Sequence, residues 1–133
     1  MLQHMCDIGH DIFHSYRVLY HSLMISKHYE PINVDVLIAS CLLHDVGRSQ
    51  TMNTDYLCHA IEGSKMAYEF LKQNQLDESF CMQVRDCIAT HRFKTETPPQ
   101  TIEAKILYDA DKLEASYNIF ASIVWSKDII WRW

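Results

Sequence analysis

The sequence predicts an all-α fold, a bundle of five or more helices in one domain spanning residues 1–133. Apolar residues recur at three- and four-residue intervals along most of the chain, which is the period of an amphipathic helix. Only three glycines and three prolines occur in 133 residues, which favours long helices joined by short connections. No segment shows the alternating pattern or the turn residues of a β-hairpin. A chain of this length is large enough to bury a substantial core.

The first helix is predicted from about Asp11 to His28. Its apolar residues are spaced so that they form one stripe along the helix, and the stripe is expected to face the core. The stripe residues are Ile12, Tyr16, Leu19 or Tyr20, and Leu23.

The second helix follows a break at Pro31, and Asn33 is its predicted N-cap. It is expected to end at His44-Asp45, where both polar side chains continue the apolar stripe and therefore point inward. Burying an imidazole beside a carboxylate is costly without partners, and one divalent cation can satisfy both groups. The pattern therefore indicates a central, buried metal site. The stripe residues are Val34, Leu37, Ile38, Cys41 and Leu42.

The third and fourth helices are each expected to begin at a capping residue. After a predicted loop over Val46–Thr54, either Thr54 or Asp55 caps the third helix, and Asp77 caps the fourth. The predicted core residues of the third helix are Ala60, Ser64, Ala67, Phe70 and Leu71. Those of the fourth are Phe80, Val84, Cys87, Ile88 and His91.

The fifth helix carries carboxylates in an apolar setting. The segment Arg92–Gln100 contains two adjacent prolines and is not expected to be helical throughout. Thr101, with Glu103 in the first turn, then opens the helix. Apolar residues around most of its circumference predict a central buried position, although Asp109 and Asp111 lie in its middle. The apolar residues are Ile102, Ala104, Ile106, Leu107, Tyr108, Ala110, Leu113 and Ala115.

Charge and cysteine usage exclude some classes of protein. The net charge of -5 argues against binding to duplex nucleic acid, which usually requires a basic surface. The five cysteines are an odd number without a CxxC pair, and they are expected to be reduced, which favours a cytoplasmic location. No signal peptide and no membrane-spanning segment are expected.

Each inward polar residue also has an ordinary structural explanation. His14 or His91 alone would more often be a hydrogen-bonded core histidine, and Asp109 or Asp111 could pair with a lysine or arginine. These explanations weaken when they must all apply at once on separate helices, because structural ion pairs rarely require histidine so consistently.

Five stretches in order along the chain resemble the HD-domain superfamily of metal-dependent phosphohydrolases, and its small stand-alone bacterial members most of all. The strongest are GHDIFHSYRV at 9–18, LLHDVG at 42–47 and YDADKLEA at 108–115. HAIEG at 59–63 and IATH at 88–91 are weaker matches. A His-Asp dipeptide alone carries no information, whereas this ordered set covers most of the chain.

The resemblance implies that one divalent ion is bound by His14, His44, Asp45 and Asp111. Asp109 would orient a ligand or a bound water. Imidazole and carboxylate ligands without a thiolate suit manganese, iron, cobalt, nickel, magnesium or zinc, with positions open for water and substrate. Such an ion could activate water for attack on a phosphate ester of a small substrate, with a nucleotide the favoured class.

Two further histidines and two cations complete the predicted site. His59 and His91 match positions that bind a second metal in binuclear members and line the substrate pocket in mononuclear ones. One or two metals per chain are therefore expected. Arg17, one helical turn after His14, and Lys112 are the predicted phosphate-binding cations. Further cations considered near the site are Arg48, Arg92 and Lys94.

Two other functions are compatible with the same residues. A di-iron oxygenase would use His59 and His91 to hold its second metal, and a non-catalytic metal-stabilised module would bind a ligand without turnover. His21 and His28 are interpreted as surface or packing residues.

The C-terminal part departs from the family pattern. Related small members carry a glycine-containing run where this chain reads Ser116–Phe120, and the chain stops at Trp133, so a missing terminal helix stays open. The oligomeric state also stays open, with a homodimer as one alternative. Packing is expected for the tryptophans, which are Trp125, Trp131 and Trp133.

Overall fold

The computed structural model is all-α, as predicted, and it describes the backbone of residues 2–47, 56–92 and 97–126. Side chains are described for 12–47, 59–92 and 97–116. Within these ranges there are five helices and no strand. They are α1 (Leu2–Ser26), α2 (Val34–Leu43), α3 (Tyr56–Gln73), α4 (Glu78–Ala89) and α5 (Ile102–Ser126). None of these helices is both long enough and apolar enough to cross a membrane.

Local capping fixes where three of the helices begin, as the sequence predicted. The side chain of Asn33 accepts a hydrogen bond from the Val36 amide at 3.2 Å. Asp77 accepts from two amides at the start of α4, and Thr101 Oγ1 accepts from the Ala104 amide at 3.1 Å. Each bond satisfies an amide that has no partner within its helix. The predicted cap of α3, at Thr54 or Asp55, lies outside the described residues.

The core lies where α2 and α5 pack against each other and against α1 and α4, while α3 packs mainly against α4. Leu37, Ile88 and Leu107 are fully buried, and each such side chain stabilises the fold by roughly 1.5–3 kcal/mol. Cys41, Cys81 and Cys87 are buried free thiols, as predicted. Burial raises the pKa of Cys41 to about 12 and that of Cys87 to about 11, so both stay protonated at neutral pH.

The predicted stripe of α1 is wrong in part. The helix begins at Leu2 rather than near Asp11, and Ile12, Tyr16 and Tyr20 are exposed. The buried face of α1 is instead formed by three residues that are smaller than the predicted ones and are spaced three or four residues apart. Small side chains allow the neighbouring helices to approach α1 closely there. These residues are Ser15, Val18 and Ser22.

Smaller corrections apply to the other helices. In α2, Val36 and Ser40 are buried, whereas Val34 and Leu42 are exposed. Phe70 of α3 is also exposed. The prediction that α5 is buried all round is wrong, because it has one solvent-facing side. That side carries Lys105, Asp109, Lys112, Leu113 and Ala115.

Candidate metal centre

The end of α2 directs an imidazole into the interior. The helix ends at Leu43, and His44 follows as its C-cap within a turn over 44–47. The Nδ1–H of His44 donates to the Cys41 carbonyl at 2.7 Å, which assigns the proton to Nδ1 and leaves the lone pair on Nε2. The His44 side chain is fully buried, as the sequence predicted for this end of the helix.

Four side chains from three parts of the chain meet around His44 Nε2. This atom lies 3.4 Å from Asp45 Oδ2 and 3.5 Å from Asp111 Oδ1. His14 Nε2, from α1, lies 3.1 Å from Asp111 Oδ1 and 3.6 Å from Asp45 Oδ2. One ligand atom each from His14, His44 and Asp111 lies within 4.8 Å of the other two. A single cation can therefore contact all three residues.

The cluster has the donors that a divalent cation requires. In the described part of the chain, Nε2 of His44 and Nε2 of His91 are buried without a hydrogen-bond partner. An unsatisfied buried nitrogen is costly, and coordination would satisfy it. The set contains imidazole nitrogens and carboxylate oxygens with no thiolate, which fits an open catalytic site better than a closed structural zinc site.

Proximity of acids and bases shifts their pKa values in the metal-free cluster. Burial opposes the charged forms, but it is outweighed by attraction between His44 and Asp45 and by the contacts that Asp111 makes with His14 and His44. The pKa of Asp45 and that of Asp111 are therefore lowered, and that of His44 is raised. Burial, together with the nearby His44, lowers the pKa of His91 to about 4, so His91 is neutral at pH 7.

His91 approaches the oxygen of Asp45 that does not face His14. Its Nδ1–H donates to the Ile88 carbonyl, so Nε2 carries the lone pair, and Nε2 lies 4.0 Å from Asp45 Oδ1. Its ring centroid is 5.2 Å from that of His44. Both ring nitrogens of His59 are shielded from solvent. The structure thus brings His91 into the cluster and buries the nitrogens of His59.

The predicted cations have different surroundings. Arg17 forms an ion pair through Nε with Oε1 of the buried Glu114. Lys112 is exposed, and its Nζ lies 4.9 Å from the centre of the Tyr108 ring. Arg92 lies closer to the cluster, with Nη2 at 3.9 Å from Asp45 Oδ1. Arg48 and Lys94 fall outside the described residues.

The comparisons with known proteins agree with this geometry. The family model described as "HD domain" matches residues 11–116, which is most of the chain. This chain belongs to the HD domain family. The match extends from just before His14 to just after Glu114, so it includes all four predicted ligands.

Two relatives of this HD domain have names or titles that describe hydrolases. The 3'-5' exoribonuclease YhaM of Listeria welshimeri is 25% identical over 129 residues, which cover 84% of this chain and 40% of that protein. A crystal structure of a predicted HD superfamily hydrolase from an uncultured Thermotogales bacterium has a TM-score of 0.66 and 30% identity. It covers 87% of this chain and 66% of the other. The chain thus spans less than two thirds of either relative.

Asp109 is more exposed than Asp111, its neighbour two residues along α5. It is exposed on α5, and within the described residues no hydrogen bond or ion pair joins it to Asp111 or Asp45. Two residues along an α-helix correspond to a turn of about 200°, which points their side chains in different directions. The role of Asp109 in orienting a ligand or a bound water therefore stays a prediction, with no hydrogen bond or ion pair to Asp111 or Asp45 among the described residues.

Sequence reasoning missed Glu114. This carboxylate is fully buried, and it lies 3.3 Å from Nε2 of His21 in addition to its pair with Arg17. His21, interpreted from sequence as a surface or packing residue, therefore contacts a buried acid. A signal was present, because Glu114 follows Leu107 by seven residues and Ala110 by four, on the buried face of α5.

Proposed function

We propose that this HD domain is a metal-dependent phosphohydrolase that acts on a small phosphorylated compound, with a nucleotide the favoured class. The observation that carries the proposal is the convergence of two imidazoles and two carboxylates, from His14, His44, Asp45 and Asp111, on one buried point. The hydrolases among its relatives support the same reaction class.

The chain's own residues prepare this point for a cation and an anionic substrate. The lowered pKa values keep Asp45 and Asp111 ionised at neutral pH, so both can act as anionic ligands. The Cys41 carbonyl holds the Nδ1 proton of His44, so Nε2 is the nitrogen that faces the carboxylates and can bind a cation. When bound, a divalent ion supplies Lewis acidity to water and to a phosphoryl oxygen. No covalent protein nucleophile is needed.

The choice of a nucleotide rests on a relative and on charge. One relative is named as an exoribonuclease, whose substrates contain ribonucleotide phosphates. The chain has a net charge of -5, which disfavours a long duplex because binding along its backbone requires many cations. A nucleoside phosphate needs only a metal and a few local cations, and Arg92 lies beside the cluster.

A second candidate, a di-iron oxygenase, is compatible with one observation. Nε2 of His91 is buried without a hydrogen bond and lies 4.0 Å from Asp45 Oδ1, which is suitable for a second metal shared through Asp45. Binuclear phosphohydrolases would use the same position, so His91 alone does not distinguish the two chemistries. Iron content combined with substrate-dependent oxygen consumption would favour the oxygenase.

The decisive experiment measures metal content and phosphate release on the same preparations. Protein purified without chelator is analysed for metals, reconstituted with manganese, and assayed with nucleoside monophosphates, bis(p-nitrophenyl) phosphate and a short oligoribonucleotide. We expect turnover of at least one of these compounds, and loss of both metal and turnover in Asp45→Ala. Asp86→Ala, which removes an exposed carboxylate from α4, is the control and is expected to keep both. Full activity in Asp45→Ala would refute the proposal.

A further inference from the structure

The two carboxylate oxygens of Asp45 face different partners. Oδ2 lies 3.4 Å from His44 Nε2 and 3.6 Å from His14 Nε2. Oδ1 instead lies 4.0 Å from His91 Nε2 and 3.9 Å from Arg92 Nη2. The two oxygens of Asp45 therefore have different neighbours, since Oδ2 faces the imidazoles of two proposed metal ligands and Oδ1 faces the His91 imidazole and the Arg92 guanidinium.

We infer that Arg92 binds the phosphate group of the substrate on the Oδ1 side of Asp45. This inference rests on the proposed function and adds the residue that recognises the anion. A guanidinium presents several N–H donors in one plane and can donate two of them to one phosphate group. The Nη2–Oδ1 distance of 3.9 Å exceeds a hydrogen bond, so Asp45 attracts the guanidinium without a direct hydrogen bond between those atoms.

The burial of Arg92 suits a ligand-binding residue. About a quarter of its side chain (24%) is exposed, so solvent reaches it, whereas 9% of the Asp45 side chain is exposed. Charge-assisted hydrogen bonds are stronger where water is partly excluded. An anion that approaches the cluster from the Arg92 side would meet a cation before it meets the carboxylates.

The other cations are less well placed to bind phosphate. The Nε atom of Arg17 is paired with Glu114, whose side chain is 1% exposed, so part of the Arg17 donor set already neutralises a buried charge. Lys112 is exposed and stacks over Tyr108. Arg17 thus joins α1 to α5 through this pair, whereas Arg92 lies beside Asp45.

The test combines phosphate binding with steady-state kinetics on manganese-loaded protein. Inorganic phosphate is titrated by calorimetry into wild type, Arg92→Gln, Arg92→Lys and Arg85→Gln, and turnover of the best substrate is measured in parallel. Arg85, on α4, is the matched control, because it pairs with Asp86 and stacks on Tyr68. Manganese per chain is measured for every variant.

We expect Arg92→Gln to weaken phosphate binding and raise KM by ~10-fold or more, since hydrogen bonds between charged groups are lost. Arg92→Lys should recover part of the affinity, because the charge remains without the two-donor geometry. Arg85→Gln should bind phosphate as wild type does, and all four proteins should hold the same amount of manganese.

Three results would overturn the inference. If Arg92→Gln keeps the phosphate affinity and the KM of the wild type, Arg92 does not contact the anion. The proposed function would still stand in that case, provided that the wild-type protein turns over a substrate. Loss of manganese from Arg92→Gln would mean that Arg92 acts through Asp45 instead. A wild type that neither binds phosphate nor hydrolyses any phosphorylated compound would overturn the proposed function and this inference together.

Discussion

His14 Nε2 lies 3.1 Å from Asp111 Oδ1, although 97 residues separate them in the chain. The contact joins α1 to α5, and one helical turn further along both helices Arg17 pairs with Glu114, which is again 97 residues away. Two polar contacts therefore lie on successive turns of the interface between α1 and α5. The first belongs to the candidate metal centre, and the second supports it from the adjacent turn.

The pair of Arg17 and Glu114 is predicted to stabilise this interface. Arg17→Met removes the cation beside a buried carboxylate and should lower the free energy of unfolding by about 2 kcal/mol. The expected loss is below that of a fully buried pair, because 42% of the Arg17 side chain is exposed. Urea denaturation of the metal-free protein measures it.

The control for that prediction is Lys65→Met on α3. Lys65 pairs with Glu62 at 3.5 Å, and both side chains are largely exposed. Surface pairs of this kind contribute little, so the change should be below about 0.5 kcal/mol. Equal effects of the two substitutions would contradict the structural role assigned to Glu114.

Gly47 and Gly63 allow the turn after Asp45 to approach α3 backbone to backbone. A Cβ added at Gly47 would lie 2.6 Å from the Gly63 nitrogen and 2.8 Å from the His59 carbonyl oxygen. Backbone atoms cannot move aside cheaply, so Gly47→Ala should destabilise the protein by ~3 kcal/mol. Thermal and urea denaturation would measure the loss.

Gly63→Ala is the matched substitution for Gly47→Ala. A Cβ at Gly63 would lie 3.2 Å from the Gly47 nitrogen, which requires a shift of only a few tenths of an ångström. The alanine also gains up to about 1 kcal/mol of helix propensity within α3, so the net change should be small. Equal destabilisation by Gly63→Ala and Gly47→Ala would contradict the prediction that the backbone approach is tighter at Gly47.

Metal binding is predicted to release protons. The pKa of His44 is raised above its ordinary value of 6.5 in the metal-free cluster because Asp45 and Asp111 outweigh burial. A cation competes with that proton for Nε2, so metal affinity should rise with pH until His44 is neutral. Below the pKa of His44, the metal affinity should increase by close to ~10-fold per pH unit, which is the change expected when binding releases one proton.

Calorimetric titration of manganese in buffers with different ionisation enthalpies counts these protons. We predict a net release of protons at neutral pH. An affinity that falls as the pH is raised through neutrality would contradict it, because deprotonated imidazole and carboxylate are the ligating forms.

Local signals in the sequence predicted much of the fold. The caps at Asn33, Asp77 and Thr101 depend on side chains within three residues of the amides they satisfy, so they can be recognised without knowing the fold. The inward direction of His44 likewise follows from continuing the buried positions Leu37 and Cys41 of α2, whereas Asp45 lies in the turn beyond the helix. Residues of this kind need only helical geometry to be interpreted.

Features that depend on distant partners were not predictable in the same way. Tyr16 and Tyr20 have helical spacing, yet serines form much of the buried face of α1 because neighbouring helices come close there. Glu114 resembles a surface charge until Arg17 and His21 are placed beside it. Which cation lies next to Asp45 depends on packing of α4 against α2, which periodicity does not specify.

Manganese binding by Asp111→Asn and Asp109→Asn decides whether the cluster of His14, His44, Asp45 and Asp111 is a metal centre. The two carboxylates lie two residues apart on α5, but Asp111 contacts His14 and His44 whereas Asp109 is exposed. Calorimetry should show at least ~100-fold weaker binding for Asp111→Asn and wild-type affinity for Asp109→Asn. Wild-type affinity in Asp111→Asn, with its fold verified by circular dichroism, would contradict a metal centre at this point.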